Sequence, residues 1–439
     1  MDSRVTSPLD LTLVASENRN RVEDIKTTRH CRAGSFSHRL LRGSVSAACI
    51  VSGALLIAHN AAAQAAGASQ RSQTPTVSAP SSPRVFSTAR KRSSGSFWTP
   101  ERMRDAEPMD LPRVSLDEVG PMLMAEILPE TGEGRSEPGA PASFDVTPDF
   151  DNQMFEPLEL EPEAEPSFEP GADLAPLVSS PLGALFMDSR VSSHEALAAL
   201  PYRMAGRLFA HDPVRNATYK CSAAVIQRRL VVTAGHCVYN AEQGYWRTNF
   251  RFVPAYDEGM APFDAWDSEQ AFTTQSWIEG NGDVPNAADF AILVMTDKFV
   301  EGDGSKGQAI GEVTGWLGWQ ANIAVNSHVT MLGYPNNLDN GERMQQTASQ
   351  TFQLDPAPAA EFGSGQGSGS GGGPFILNVG EVAEGHDEPM PNLVVGILSY
   401  GYDDLITERS LDLVGTSIIN GEFGDLFDAA CRATRGNCI

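Results

Sequence analysis

From residue 200 onward the chain is written as short apolar runs separated by Gly, Asn and Asp turns. This restricts its folding more than any other feature. The runs are "RLFA", "SAAVIQRRLVVTA", "FRFVPAY", "FAILVM", "HVTMLGYP", "PFILNVG" and "NLVVGILSYG". Short β-branched segments at this spacing predict an all-β sandwich or barrel and argue against alternating β/α units. The closing stretch "GEFGDLFDAACRA" places Phe423, Leu426, Phe427 and Ala430 at helical spacing, which predicts a short C-terminal helix. Residues 200–439 are enough to bury one sizeable core or two small ones.

The chain upstream has a different composition. "HRLLRGSVSAACIVSGALLIAHNAAAQAAG" carries Arg39 and Arg42, an apolar run over 45–58 and a small-x-small site at 63–65. That pattern is an export signal, and the run is too short for a comfortable membrane span. About forty residues precede it, which we read as a long n-region or a start assigned too early. Residues 1–65 are therefore assigned to n-region and signal. Residues 66–199 are first Ser, Pro and Arg rich, with "ARKRSS" at 89–94, then acidic and Pro rich, with isolated apolar clusters such as "PMLMAEIL" at 121–128. Between 145 and 173 stand ten carboxylates and no Lys or Arg. This composition predicts a largely disordered or propeptide region.

The formal net charge of -24 argues against nucleic acid as a partner, because a phosphate backbone repels such a surface. Cys31 and Cys49 lie before the cleavage site, which leaves Cys221, Cys237, Cys431 and Cys438. Four cysteines in an exported chain predict two disulfides and a secreted or periplasmic location. None of the spacings is the Cys-x-x-Cys of a structural zinc site, and nothing suggests a metal, a cofactor or a membrane anchor.

Three short stretches carry the chemistry. "LVVTAGHCVY" brings His236 to a strand end beside Cys237. A hairpin from "YKCSAAVI" can set Cys221 opposite Cys237 and hold the His backbone still, as a general base requires. In "NAADFAILVM", Asp289 stands immediately before an apolar strand, where a buried carboxylate can orient an imidazole. "FGSGQGSGSGGGPFI" at 362–376 has linker composition, but it is followed by an apolar strand. A serine nucleophile needs such small neighbours for a sharp turn and for converging backbone N–H groups.

In the order His, Asp, Ser, these stretches resemble the chymotrypsin-like (trypsin-like) serine proteases. "TAGHC" at 233–237 matches their His motif and "DFAIL" at 289–293 their Asp strand, while "VVGILSYG" at 394–401 resembles the strand lining the cleft. "PYRMAGRLF" and "GYP" at 333–335 look like the bacterial branch that includes the glutamyl endopeptidases. The resemblance covers 200–439. It implies two six-stranded antiparallel β-barrels with the site between them, and hydrolysis of peptide bonds in protein or peptide substrates through an acyl-enzyme. It implies His236 as base, held by Asp289, and Ser399, Tyr400 and Gly401 as the edge that pairs with substrate backbone.

The loop departs from the family pattern Gly-x-Ser-Gly-Gly-Pro. Aligned on the serine, Ser370 is the nucleophile, with Ser370 and Ser368 as oxyanion donors; this is the alignment we adopt. Ser368 as nucleophile is the second choice. Aligned on Pro374, the nucleophile position falls on Gly371, which gives a protease homologue used for binding. A further reading makes the acidic region a surface-binding tail. Gly369 precedes Ser370 where trypsin-type zymogens carry an acid, so their ion-pair switch has no partner here; an acidic propeptide would act by covering the cleft or aiding folding. Leu398 stands where glutamyl endopeptidases carry His, which argues against Glu preference. Ser364, six residues before Ser370, replaces the acid of trypsin-like pockets, so the pocket is expected to take small or apolar side chains.

Overall fold

The computed structural model describes residues 86–87, 97–115, 134–157, 178–179, 184–298, 307–354, 359–380, 390–403 and 410–439. The export signal, "PMLMAEIL" and the first two cysteines lie outside them.

The first four apolar runs become β1 (Ala205–Asp212), β2 (Ala217–Gln227) with β3 (Leu230–Thr233), β4 (Thr248–Pro254) and β6 (Ala291–Met295), and β5 (Trp266–Thr273) is a strand that no apolar run marked. They pair antiparallel in the order β5-β4-β1-β2-β3-β6, and β6 closes back onto β5, giving a six-stranded barrel without free edges. The β-branched run of β3 is wholly buried, as are Leu208, Phe252, Ile292 and Leu293. Burying a side chain of this size contributes roughly 2 kcal/mol.

The last three runs form β7 (His328–Gly333), β10 (Pro374–Leu377) and β11 (Leu393–Asp403), and three strands outside the quoted runs join them, β8 (Gln345–Gln350), β9 (Ala360–Gly363) and β12 (Ser410–Ile418). Their order is β9-β12-β11-β10-β7-β8. Among the described residues no ladder joins β8 to β9. A single bridge, Phe352 to Glu361, spans the gap, and the outer edge of β8 pairs instead with Leu185–Arg190. The second set of strands is thus a curved sheet whose ring is not fully closed. Its own core holds Val329, Met331, Phe362, Phe375, Val395 and Leu398.

The helix Gly421–Ala433 buries Phe423, Leu426, Phe427 and Ala430, the four positions its spacing predicted. Asn420 caps it by accepting from Phe423 N. Phe423 packs edge-on against Phe290, the neighbour of Asp289, with ring centroids 5.3 Å apart, so the helix braces the strand entry that carries the carboxylate. Both expected disulfides are present, Cys221–Cys237 and Cys431–Cys438.

The folded body begins before residue 200. Trp98, Met103, Met109, Leu111 and Val114 are buried, and Leu185–Arg190 is a strand of the second sheet. Composition counts few apolar residues in this region, but these few find partners on elements more than a hundred residues away.

Candidate active site

His236 sits in a single helical turn, Gly235–Val238, directly after β3. Three contacts hold its backbone. Cys237 is tied to β2 through Cys221, the His236 N–H donates to Asp289 Oδ1 at 2.7 Å, and Arg247 Nη1 donates to its carbonyl at 2.5 Å. A Cβ at Gly235 would lie 2.9 Å from both Asp289 Oδ1 and Trp277 Cδ1. Glycine in "TAGHC" is therefore what lets the turn close onto the carboxylate.

Asp289 is fully buried and sits 2.8 Å from His236 Nδ1 through Oδ2. That oxygen also accepts from Ser399 Oγ at 2.6 Å, and the Asp289 N–H donates to Ser417 Oγ at 3.1 Å. With the carboxylate accepting from both His236 N and Ser399, the bond at Nδ1 is one that the imidazole donates. In the neutral imidazole this tautomer leaves the lone pair on Nε2, as a general base requires. Nε2 is buried and has no hydrogen-bond partner among the described residues.

The glycine loop does not bring Ser370 to that nitrogen. Ser370 Oγ donates to Gly367 O at 2.5 Å, and its N–H turns back to the same carbonyl at 3.2 Å. The residue that faces the imidazole is Gly371. A Cβ placed on it would lie 2.5 Å from His236 Nε2 and 3.0 Å from Cε1. Backbone bonds pin this register: Ser222 N donates to Gly371 O, Gly372 N to Leu398 O, and Leu398 N to Gly373 O, each at 2.9 Å. Gly372, at φ +87°, faces Ser222 O and Thr233 Oγ1 so closely that no side chain fits there.

The loop also places the residues expected to serve as oxyanion donors. Ser370 N–H is spent inside the loop, and Ser368 Oγ donates to Asp110 Oδ1 at 3.0 Å. Gly369, at φ +93°, instead presents its N–H outward, to Met109 O at 2.8 Å. That left-handed conformation is the reason for glycine at 369, where the strict alignment puts the invariant first Gly of the motif.

Other predicted residues fall around this centre. The backbone of β11 passes beside it, and Gly401 N donates to Pro112 O at 3.0 Å. Ser399 turns its hydroxyl to Asp289, a role not foreseen for it. Tyr400 Oη and Tyr402 Oη donate to the buried carboxyl of Glu361, and Leu354 N donates there too. Burial pushes Glu361 up to about 7 in spite of these donors. Ser364 is buried and shares hydrogen bonds with Thr347 and Gln366 N. Asp188, from the strand Leu185–Arg190, accepts from Gly365 N at 2.9 Å and brings a carboxyl to the base of the loop; burial raises its pKa. No local signal marked Asp188, because its partners are more than 150 residues away.

Residues 205–410 match the family model for Trypsin. This region is a trypsin-family domain. The family is one of peptidases, and its substrates are peptides and proteins. An extracellular metalloprotease of Bacillus subtilis is 24% identical over 175 residues, 38% of this chain and 50% of that protein. A glutamyl endopeptidase of Bacillus licheniformis is 24% identical over 165 residues, 36% and 46% respectively. The chain thus spans about half the length of each Bacillus relative. Among solved structures, the protease Anisep of Arthrobacter nicotinovorans is similar at 22% identity with a TM-score of 0.44, covering 55% of this chain and 98% of that one. The glutamyl endopeptidase match agrees with the bacterial branch that "GYP" and "PYRMAGRLF" resemble. In the trypsin-family domain Cys221, His236 and Cys237 gather three potential metal-ligand atoms, but both sulfurs are joined in a disulfide and offer no thiolate.

Proposed function

We propose that this chain is exported and uses a trypsin-family cleft to bind peptide without cleaving it. The base and its orienting carboxylate are retained, and glycine stands in the nucleophile's place. The observation that carries this reading is the direction of Gly371: its missing side chain would point at His236 Nε2 from 2.5 Å. Nucleophilic catalysis needs an oxygen or sulfur at that point, and glycine offers neither. The two disulfides support a secreted or periplasmic location, where such bridges persist.

One observation favours a second reading, a secreted serine endopeptidase acting through Ser370, His236 and Asp289. Nε2 is buried, unpartnered and backed by a carboxylate, an arrangement that a binding module does not need. In this reading the glycine loop slides by one residue when substrate enters, carrying Ser370 to the imidazole.

Hydrolysis of a mixed fluorogenic peptide library separates the two. Leu111 packs 3.3 Å from the point a Gly371 Cβ would occupy, so the binding reading expects no His236-dependent turnover by the natural chain and clear turnover by Gly371→Ser once Leu111→Asp has cleared that space. Turnover by the natural chain that His236→Ala and Ser370→Ala each abolish would establish the endopeptidase instead.

A further inference from the structure

We propose that residues 109–115 are a resident occupant of the peptide cleft, bound in the direction opposite to a substrate, so that peptide gains the cleft only when this strap leaves. The proposal rests on reading the cleft as a peptide site, whether or not hydrolysis follows there.

The strap covers each element of the site in turn. Met109 O takes the N–H of Gly369, the outward donor beside Gly371. Asp110 Oδ1 takes the hydroxyl of Ser368. Leu111 is 2% exposed, and its side chain lies within 3.3 Å of the point a Gly371 Cβ would occupy, so it fills the space in front of His236. Pro112 O takes the N–H of Gly401, and residues 113–115 continue as a strand parallel to Gly401, Tyr402 and Asp403. Val114 is buried in the cluster of Tyr400, Tyr402 and Leu413, and Arg113 pairs with Asp403 at 3.1 Å.

Chain direction separates this occupant from an acyl donor. In a substrate, the carbonyl to be attacked sits at the oxyanion donor, and the residues before it lie back along β11. A substrate touching both Gly369 and Gly401 therefore meets Gly401 first in its own sequence. The strap meets Gly369 first, through Met109, and Gly401 three residues later, through Pro112. Its peptide bonds are presented backwards. Pro112 also has no N–H, so at this position the strap accepts from the edge strand and donates nothing back.

The strap is anchored upstream rather than laid on loosely. Glu107 and Pro108 pair parallel with β2, Met109 N donates to Lys220 O, and Trp98 Nε1 donates to Asn249 O at 2.6 Å. Tethering of this kind gives the strap an effective concentration on the order of millimolar, which a free peptide must exceed.

The test uses the full chain and a fluorescein-labelled peptide of sequence AEPMDLPRVS, residues 106–115. Leu111→Asp with Val114→Asp should open the cleft. Fluorescence anisotropy is then expected to show the peptide binding the double variant at least about tenfold more tightly than the natural chain, whose cleft is filled. Amide hydrogen exchange at Gly369 and Gly401 is expected to rise at least about tenfold in the variant, with β3 as protected as before. Equal peptide affinity for both proteins, binding to neither, or unchanged exchange at the two glycines would overturn the proposal. If β3 loses protection, the double variant has unfolded and Arg113→Glu, which replaces the strap's ion pair with Asp403 by two facing carboxylates and so repels the strap from β11, decides by the same readouts. Neither readout needs a nucleophile, so failure of Gly371→Ser to hydrolyse peptides leaves this test standing. Failure here, with hydrolysis by Gly371→Ser, removes the strap and keeps the peptide cleft.

Discussion

The closed barrel and the glycine loop of the second sheet face each other across the site, and they differ in how much of a protease they retain. On the barrel side each part is in place: the disulfide behind His236, the glycine that lets the turn reach Asp289, and an imidazole with its lone pair directed outward. On the other side, Ser399 and Ser417 still serve the carboxylate, but the residue delivered to the imidazole has no side chain. The loop's backbone bonds need no side chain at position 371, because they depend on peptide groups and on glycine conformations. The scaffold of the family therefore keeps its geometry with glycine at the position that faces the imidazole.

The sharpest way to break this contrast is to restore the missing group. Gly371→Ser requires the His236 imidazole to draw back from the 2.5 Å approach that a Cβ at 371 would make; with that adjustment, in the Leu111→Asp background, peptide hydrolysis is expected to rise by roughly a thousandfold or more over the same background without it, since a complete triad far exceeds the residual catalysis of an incomplete one. His236→Ala should cancel the gain, as read by initial rates.

The next largest effect lies where β1 and β2 of the barrel meet the segment between β7 and β8. Arg207 is fully buried, donates to Glu342 Oε1 at 2.9 Å and lies over the Tyr256 ring, while Lys220 sits 3.7 Å from the same carboxylate. Burial and the Arg207 charge push Lys220 down to about 8, with Glu342 opposing them. Glu342→Gln leaves two buried cations without their counter-charge and should cost about 3–5 kcal/mol, measured by the urea midpoint.

The second sheet carries a carboxyl of the opposite tendency. Glu361 keeps its proton in the folded state up to about 7, whereas the unfolded group ionises near its ordinary value of 4.5. The folded state thus binds the extra proton between these values, and stability falls as pH rises through that window and remains lower above it. The loss is on the order of 3 kcal/mol between pH 4.5 and 8. Glu361→Gln should flatten the dependence, which thermal melts at pH 5 and pH 8 of both proteins will reveal. Smallest is the helix cap: Asn420→Ala should cost about 1 kcal/mol and leave peptide binding in the opened cleft unchanged.

These differences also explain what could be read in advance. The β runs, the C-terminal helix, His236, Asp289 and both disulfides are written in local patterns of apolar period, turn residues and cysteine spacing. The register of the loop is not, because "SGSGGGP" offers three consecutive glycines with no side chain to fix which residue faces His236. Partners on β2 and β11, namely Ser222 N and both backbone groups of Leu398, decide it. Ser399 has the signature of an edge residue, and only the fold shows its hydroxyl directed to Asp289. The strap is hidden for the same reason: Met109, Leu111 and Val114 are scattered among prolines and charges, and become core only against residues far along the chain.

The measurement that tests the central claim most directly is fluorophosphonate labelling of the folded chain, with and without Leu111→Asp, followed by mass spectrometry of the peptide spanning residues 362–376. The account predicts no adduct on that peptide unless Gly371→Ser is also present, and then an adduct on the introduced serine that His236→Ala abolishes. An adduct on Ser370 or Ser368 of the natural chain that depends on His236 would contradict it and return the protein to the working proteases.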